Sequence, residues 1–200
     1  MKGTSQITLS VCFIAFLNLP AFASNSEKTL HYGVAYEGGV VACLQSNGDL
    51  YNLIAASQDN SDGISWGGQG IAIGPAAQSE TDGLGNSQAI REKLGDDSSY
   101  AAKLCLDYEV DAAGNTPCKE GQPCYRDWFL PAKKQLHCLY KHYKEIGGFA
   151  KDYYWSSSEF AGYPEYSAWD LYFSDQDHHD SGEDDFERVR CVRSFTPPKS

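Results

Sequence analysis

DWFLPAKKQLHCLYKHYKEIGG, residues 127–148, decides the fold class. Proline is tolerated in the first turn of a helix, where its missing N–H would have no intrahelical partner anyway, so Pro131 reads as a helix start. Behind it Leu136, Leu139, Tyr140, Tyr143 and Ile146 recur at helical spacing, and Gly147-Gly148 ends the run. The spacing predicts one amphipathic helix from Pro131 to Ile146. Beyond it Tyr153-Tyr154-Trp155, Ala168 to Phe173 and Arg188 to Phe195 read as strands.

On the N-terminal side, Gly38 to Gln45 and Leu50 to Ala56 are apolar runs separated by Ser46-Asn47-Gly48-Asp49, the signature of a β-hairpin. From Asp59 to Asn86 the composition turns to Gly, Ser, Asn and Gln around Trp66, which reads as a long ordered loop. Asn86 or Ser87 then caps a helix carrying Ile90 and Leu94, and Ser98 restarts one carrying Ala101, Leu104 and Cys105. Strands at both ends with two main helices between them predict an α+β fold with an antiparallel sheet and long loops. A doubly wound fold would alternate the two. The chain ends are expected to meet in that sheet.

Residues 1–23 read as an address. Lys2 is followed by an apolar stretch from Ile7 to Leu17 and by the small-x-small site Ala21-Phe22-Ala23, which predicts a cleaved signal peptide and a single domain over residues 24–200. The apolar stretch falls short of the roughly 20 residues that span a bilayer. Leu9-Ser10-Val11-Cys12 does not make a lipoprotein site, because Val11 stands where a small residue belongs. The expectation is a secreted, periplasmic or cell-surface protein with no membrane insertion. The whole chain carries 16 Lys+Arg against 27 Asp+Glu, a net charge of −11, and loss of Lys2 with the signal makes it −12. Such a surface repels phosphate backbones, which excludes nucleic acid as an expected partner.

Cys12 leaves with the signal, so Cys43, Cys105, Cys118, Cys124, Cys138 and Cys191 remain, an even count that predicts three disulfides in an oxidising compartment. Cys118 and Cys124 flank a short turn and can close on each other, whereas the other four allow three pairings that spacing does not rank. A zinc reading of Cys118, Cys124, His137 and Cys138 fits poorly, because five residues separate the first pair where structural sites place two to four.

Chemistry-bearing clusters are few. Asp175, Asp177, Glu183 and Asp184 offer hard oxygen ligands and make calcium the one cofactor option. The EF-hand pattern fails, with Asp180 where its glycine and Phe186 where its last glutamate belongs, and the plainer reading of residues 175–185 is a solvated turn between two strands. His178 and His179 point to opposite faces of a strand, and His137 and His142, five apart, do not share a helix face. Gly68 to Gly74 has the wrong spacing and context for a dinucleotide loop, and Ser156-Ser157-Ser158 has no assigned base. Tyr163 and Tyr166, in a Gly- and Pro-containing segment, offer flat faces on which sugar rings stack, with carboxylates at Asp175, Asp177 and Asp180 to bind hydroxyls. Trp169 alternates with Leu171 and Phe173 and is expected in the core.

The order of Asp127-Trp128-Phe129-Leu130-Pro131 and its helix, then Tyr154-Trp155-Ser156-Ser157-Ser158-Glu159, Ala168-Trp169, Phe173-Ser174-Asp175 and Val189-Arg190-Cys191-Val192-Arg193, resembles the family typified by the C-terminal domain of the Legionella collagen-like protein. The resemblance implies a C-type-lectin-like fold whose first and last strands pair, a Cys105–Cys191 bridge, and by remainder Cys43–Cys138. It implies a secreted or surface-exposed adhesion domain that recognises a glycan or a surface protein without catalysis, with Trp128 and Trp155 in its core. The chain lacks a collagen stalk, its −12 charge departs from a preference for sulfated glycans, and the Glu-Pro-Asn and Trp-Asn-Asp motifs of calcium-dependent lectins are missing. The alternatives are a metal- or thiol-dependent enzyme on a formylglycine-generating-like scaffold, or a structural subunit of a surface assembly.

Overall fold

The computed structural model describes residues 30–174 and 177–198, so the expected signal peptide and Asp175 lie outside the described residues. The chain begins with a short strand β1 (Ala35–Tyr36) and the expected hairpin, β2 (Gly39–Cys43) and β3 (Leu53–Ala55), paired Val40 to Ala55 and Val41 to Ile54. The connection is longer than a two-residue turn. Asp49 folds inward to accept from the Leu44 backbone N–H and the Tyr32 hydroxyl, while Leu50, expected to open a strand, stays exposed. The Gly-rich segment is not all loop, because β4 (Ser61–Ile64) forms within it.

Helix α1 (Gly83–Leu94) starts a turn earlier than Asn86. Its cap is Asp82, whose Oδ1 accepts from Gly85 N at 2.9 Å, and the glycines at 83 and 85 hid this first turn from a propensity reading. Asn86 and Ser87 instead face inward, Asn86 donating to Ser79 O and Ser87 to Gly83 O. Helix α2 (Ala101–Leu106) begins after Tyr100, without Ser98 as its cap. A two-stranded ribbon follows, β5 (Val110–Asp111) with β6 (Cys124–Tyr125). The expected helix from Pro131 is split into α3 (Lys133–Lys141) and α4 (Tyr143–Ile146), giving four helices among the described residues. The break falls at His142, whose imidazole stacks on Tyr32 at 3.7 Å and reaches Asp49 at 3.2 Å.

The C-terminal part contains β7 (Tyr153–Glu159), β8 (Ser167–Tyr172), β9 (His178–Gly182), β10 (Glu187–Val189) and β11 (Val192–Ser194). Strand β9 overturns the expected acidic turn. Its polar residues suit an edge strand, and it zips onto β8 from Ser167–Gly182 to Leu171–His178. The single expected strand over 188–195 is two strands in two sheets, separated by Arg190 and Cys191. One sheet runs β1-β2-β3-β11 and the other β4-β10-β7-β8-β9. The pairing is antiparallel except where β10 meets β7 in parallel. The last strand joins the N-terminal sheet but pairs with β3, so the implied pairing of first and last strands does not occur.

All three expected disulfides form: Cys43–Cys138, Cys105–Cys191 and Cys118–Cys124. One core cluster surrounds Trp66, Trp128, Trp155, Ile90 and the Cys105–Cys191 bridge. The other surrounds Phe129, Leu136, Leu139, Tyr154, Phe173 and the Cys43–Cys138 bridge. Each core tryptophan donates its indole N–H to a carbonyl: Trp66 to Ser156, Trp155 to Ile64, Trp128 to Tyr125. No helix among the described residues is long and apolar enough to cross a membrane.

Arg190 joins the two sheets. Its buried guanidinium donates to Asp59 at 2.8 Å, Ala56 O at 3.0 Å and Gly148 O at 2.6 Å, and lies 4.2 Å from the Phe149 ring. Removing one partner of a buried ion pair strands the other, at a cost of about 3–5 kcal/mol. Arg190→Ala is expected to lose stability of that order in urea denaturation, with little rescue by Arg190→Lys, whose ammonium lacks the planar fork. A loss below about 1 kcal/mol would show that this junction does not hold the sheets together.

Candidate functional site

Three segments meet at one end of the five-stranded sheet: the turn between β7 and β8, the turn between β9 and β10, and the glycine-rich loop after β4. Backbone bonds tie them together, Gly70 N donating to Glu165 O at 2.6 Å, Glu183 N to Tyr166 O at 3.0 Å and Gly67 N to Glu183 O at 3.2 Å. Gly67, Gly68 and Gly70 all have positive φ, and a Cβ on Gly67 would fall 2.6 Å from Tyr100 Cβ, so this close docking requires glycine.

The turn after β7 presents Tyr163, 65% exposed, and Tyr166, 52% exposed. Both were expected from sequence as contact residues. The loop and turn beside them add Ile71, expected from sequence to be buried, and Phe186, 77% exposed, neither of which was expected as a contact residue. Asp184 and Asp185 are exposed in the β9–β10 turn, and Asp185 accepts from Gly182 N.

The expected acidic residues do not all gather here. Asp177 precedes β9 and Glu183 follows it, and five residues of strand at about 3.3 Å each put them at opposite ends, which breaks the proposed calcium set of Asp177, Glu183 and Asp184. Asp180 lies mid-strand, exposed and opposite Trp169. Trp169 is half-buried, not core. Leu171 and Phe173 on its face pack inward, but Trp169 lies beneath the first turn of α3, where the Lys133 ammonium sits 3.1 Å above its ring and Phe160 meets its edge. The serine run is structural: Ser156 donates to Trp169 O and Ser158 to Ser79 O.

Beneath the aromatic turn lie two carboxyl groups, Glu159, which sequence reading did not name as a site residue, and Glu183, which it named among the calcium options. Glu159, at the end of β7, is buried and accepts from Ile73 N at 2.6 Å, Gly74 N at 2.8 Å and Gln78 Nε2 at 2.9 Å. Glu183 is fully buried, and neither of its carboxyl oxygens finds a hydrogen-bond partner among the described residues. Burial, then the charges of Glu159 and Asp184, push its carboxyl up to about 8. A second pair lies in the same sheet. Burial raises both Asp170 and Glu187, and the Glu187 carboxyl donates to Asp170, which also accepts from the Ser181 hydroxyl.

A cleft of about 580 Å³ between α2 and the 108–117 segment shares no residue with this rim. Its charged lining is already paired, Lys103 with Asp107 and Glu109 with Arg126. The clusters Cys43–Asp49–Cys138 and Glu109–Cys118–Cys124 place their thiols in disulfides, so they are not metal centres. Compared with protein-family models and with curated proteins, the chain matches none, and the family resemblance therefore rests on motif order alone.

The buried carboxyls fix the sign of the pH dependence. An acid whose folded pKa exceeds its unfolded value near 4.5 holds a proton in the native state, so its contribution is complete below 4.5 and lost as pH rises. His137 and His178, lowered by burial, oppose this below about 6.5. Above pH 6.5 the carboxyls are expected to dominate, so Tm should fall between pH 6.5 and 9. Glu187→Gln should make that fall shallower, and thermal melts across the range check it. An unchanged slope would show that Glu187 binds no extra proton in the folded state.

Proposed function

We propose that the chain is an exported, C-type-lectin-like domain that binds a glycan or a cell-surface protein at the aromatic turn, without bond-making chemistry. The observation that carries the reading is the pairing of exposure with rigidity. Tyr163 and Tyr166 present their rings to solvent on a turn hydrogen-bonded to two neighbouring loops. Aromatic faces held in place recognise sugar rings or apolar side chains at low ordering cost. Asp184 beside them supplies an acceptor for hydroxyl groups.

Three disulfides and a signal-like leader support export. The order of motifs supports the lectin-like reading of the fold, with the two sheets and their helices as its framework. A net charge of −11 disfavours sulfated or phosphorylated polymers, so the favoured ligands are neutral glycans or protein surfaces. A thiol-dependent enzyme requires a free cysteine, and the six cysteines among the described residues are all paired.

A glycan array followed by calorimetry on the hits tests the reading. Tyr163→Ala and Tyr166→Ala should each weaken binding about tenfold, the effect of losing about 1.4 kcal/mol at a contact hot spot. Both side chains are exposed, so Tm should hardly move. Binding that survives the double substitution would place the contact elsewhere, and no binding to any glycan or surface protein would remove the proposal.

A further inference from the structure

We propose that the pocket between α3 and the β2–β3 connection binds the carboxylate of a small ligand built on a single ring. The pocket encloses about 250 Å³ and is lined by Leu50, Tyr51, Lys134, His137 and Lys141, together with Asp49. It shares no residue with the aromatic turn, so it does not depend on what that turn recognises. Two of its side chains carry polar atoms that are shielded from solvent: the Tyr51 hydroxyl and His137 Nδ1, and neither finds a hydrogen-bond partner among the described residues. A buried polar group left unpaired is costly, and native structures meet it with an ordered water or a ligand. Two such groups in the lining of one pocket point to a ligand that supplies their partner.

The lining is a local exception in an acidic protein. Between residues 133 and 144 the chain carries Lys133, Lys134, Lys141 and Lys144 and no acid, although its net charge is −11. Lys134 stands in the first turn of α3, where the helix dipole disfavours a cation and favours an anion beside it. Asp49 is the one acid of the lining and is already taken up: it accepts from the Tyr32 hydroxyl, the Leu44 N–H and Lys141, and meets His142 at 3.2 Å. Lys134 meets Glu80 at 3.0 Å and Lys141 meets Asp49 at 3.2 Å, and both side chains are about half exposed. An ammonium has three N–H donors, so each lysine keeps donors for an incoming anion.

The donor chemistry selects the ligand. Lysine meets an oxyanion as a compact charge, while a phenol hydroxyl and an imidazole N–H each satisfy one oxygen. Burial, then the Lys141 charge, hold His137 below its ordinary pKa, so near pH 7 the ring is neutral and its single N–H can stand on Nδ1. A carboxylate matches this set with two oxygens and one negative charge. Phosphate brings more charge, which a chain of net charge −11 repels more strongly. Size sets the rest of the ligand: about 250 Å³ lies below the roughly 300–1,000 Å³ of pockets that hold drug-sized molecules, which leaves room for one ring. The Tyr51 ring and the exposed Leu50 side chain offer that ring an apolar wall.

The test is a chemical-shift titration by NMR of the disulfide-bonded protein with glucuronate and with benzoate, set against the neutral counterparts glucose and benzamide and against phosphate. At least one carboxylate should saturate a single site with Kd of about 1 mM, in keeping with so small a ligand, and its neutral counterpart should bind at least about tenfold more weakly. Saturation by glucuronate alone identifies an acidic sugar, and by benzoate alone an aromatic acid. Tyr51→Phe removes only the unpartnered oxygen, so it should melt no lower than wild type while binding the carboxylate about fivefold more weakly. Lys134→Gln should give a similar loss, and Tyr163→Ala should bind as wild type does. Failure of both carboxylates to saturate overturns the proposal. So does a neutral counterpart or phosphate that binds as tightly as the carboxylate, or undiminished binding in both Tyr51→Phe and Lys134→Gln.

Discussion

The buried guanidinium of Arg190 is the constraint on which the architecture turns. It stands between β10 and β11, which belong to different sheets, so its position fixes where the chain leaves one sheet for the other. A buried arginine is tolerated only when its donors are met by fixed acceptors. Asp59 and the carbonyls of Ala56 and Gly148 are those acceptors, and they come from the segment after β3 and the glycine pair after α4. Tyr154 donates to the same Asp59, which brings β7 into the junction. The next residue, Cys191, is bridged to Cys105 on α2 while its N–H is bound to the Asn60 side chain. One short stretch of chain thus aligns both sheets, the end of α4 and α2.

Charge is satisfied unevenly across the molecule. Around the junction, arginines are matched with carboxylates: Arg188 with Asp59 and Asp152, Arg190 with Asp59, Arg193 with Asp127 and Glu37. Towards the aromatic turn the buried acid Glu159 meets amides and Asp170 a hydroxyl, while neither carboxyl oxygen of Glu183 finds a hydrogen-bond partner among the described residues. Local rules of polar satisfaction are broken where function compensates for the loss, so the unpaired end is the one expected to receive something from outside. This coincides with the end that carries Tyr163 and Tyr166.

What the sequence made legible was whatever depended on neighbours in the chain. The helical spacing of Leu136, Leu139 and Tyr140 located α3, the Asn47-Gly48 turn located the β2–β3 hairpin, and the short interval between Cys118 and Cys124 announced their bridge. The break at His142 was illegible because it is drawn to Asp49, 93 residues away. Strand β9 was illegible because His-His-Asp-Ser-Gly has the composition of a solvated turn, and it is strand only because β8 offers it an edge. At the site, the exposure of Tyr163 and Tyr166 could be read from their Gly and Pro neighbours. The burial of Glu183 could not, since Asp184 and Asp185 next to it are exposed and its cover comes from the loop at Gly67 and Gly68.

The covalent cross-links help explain why the candidate site is built as it is. Cys43–Cys138 ties α3 to β2, Cys105–Cys191 ties α2 to the junction, and Cys118–Cys124 closes a local turn; none involves the β7–β8 turn or the glycine-rich loop. The aromatic turn is positioned instead by the backbone bonds from Gly70 to Glu165 and from Glu183 to Tyr166. Hydrogen bonds of this kind open locally at far lower cost than a disulfide-clamped core. Each of the three segments borrows its position from the others, so the Tyr163 and Tyr166 rings keep their relative placement only while all three stay docked. A change at Glu183 acts on that docking, because Glu183 is the residue whose backbone meets both the turn and the loop.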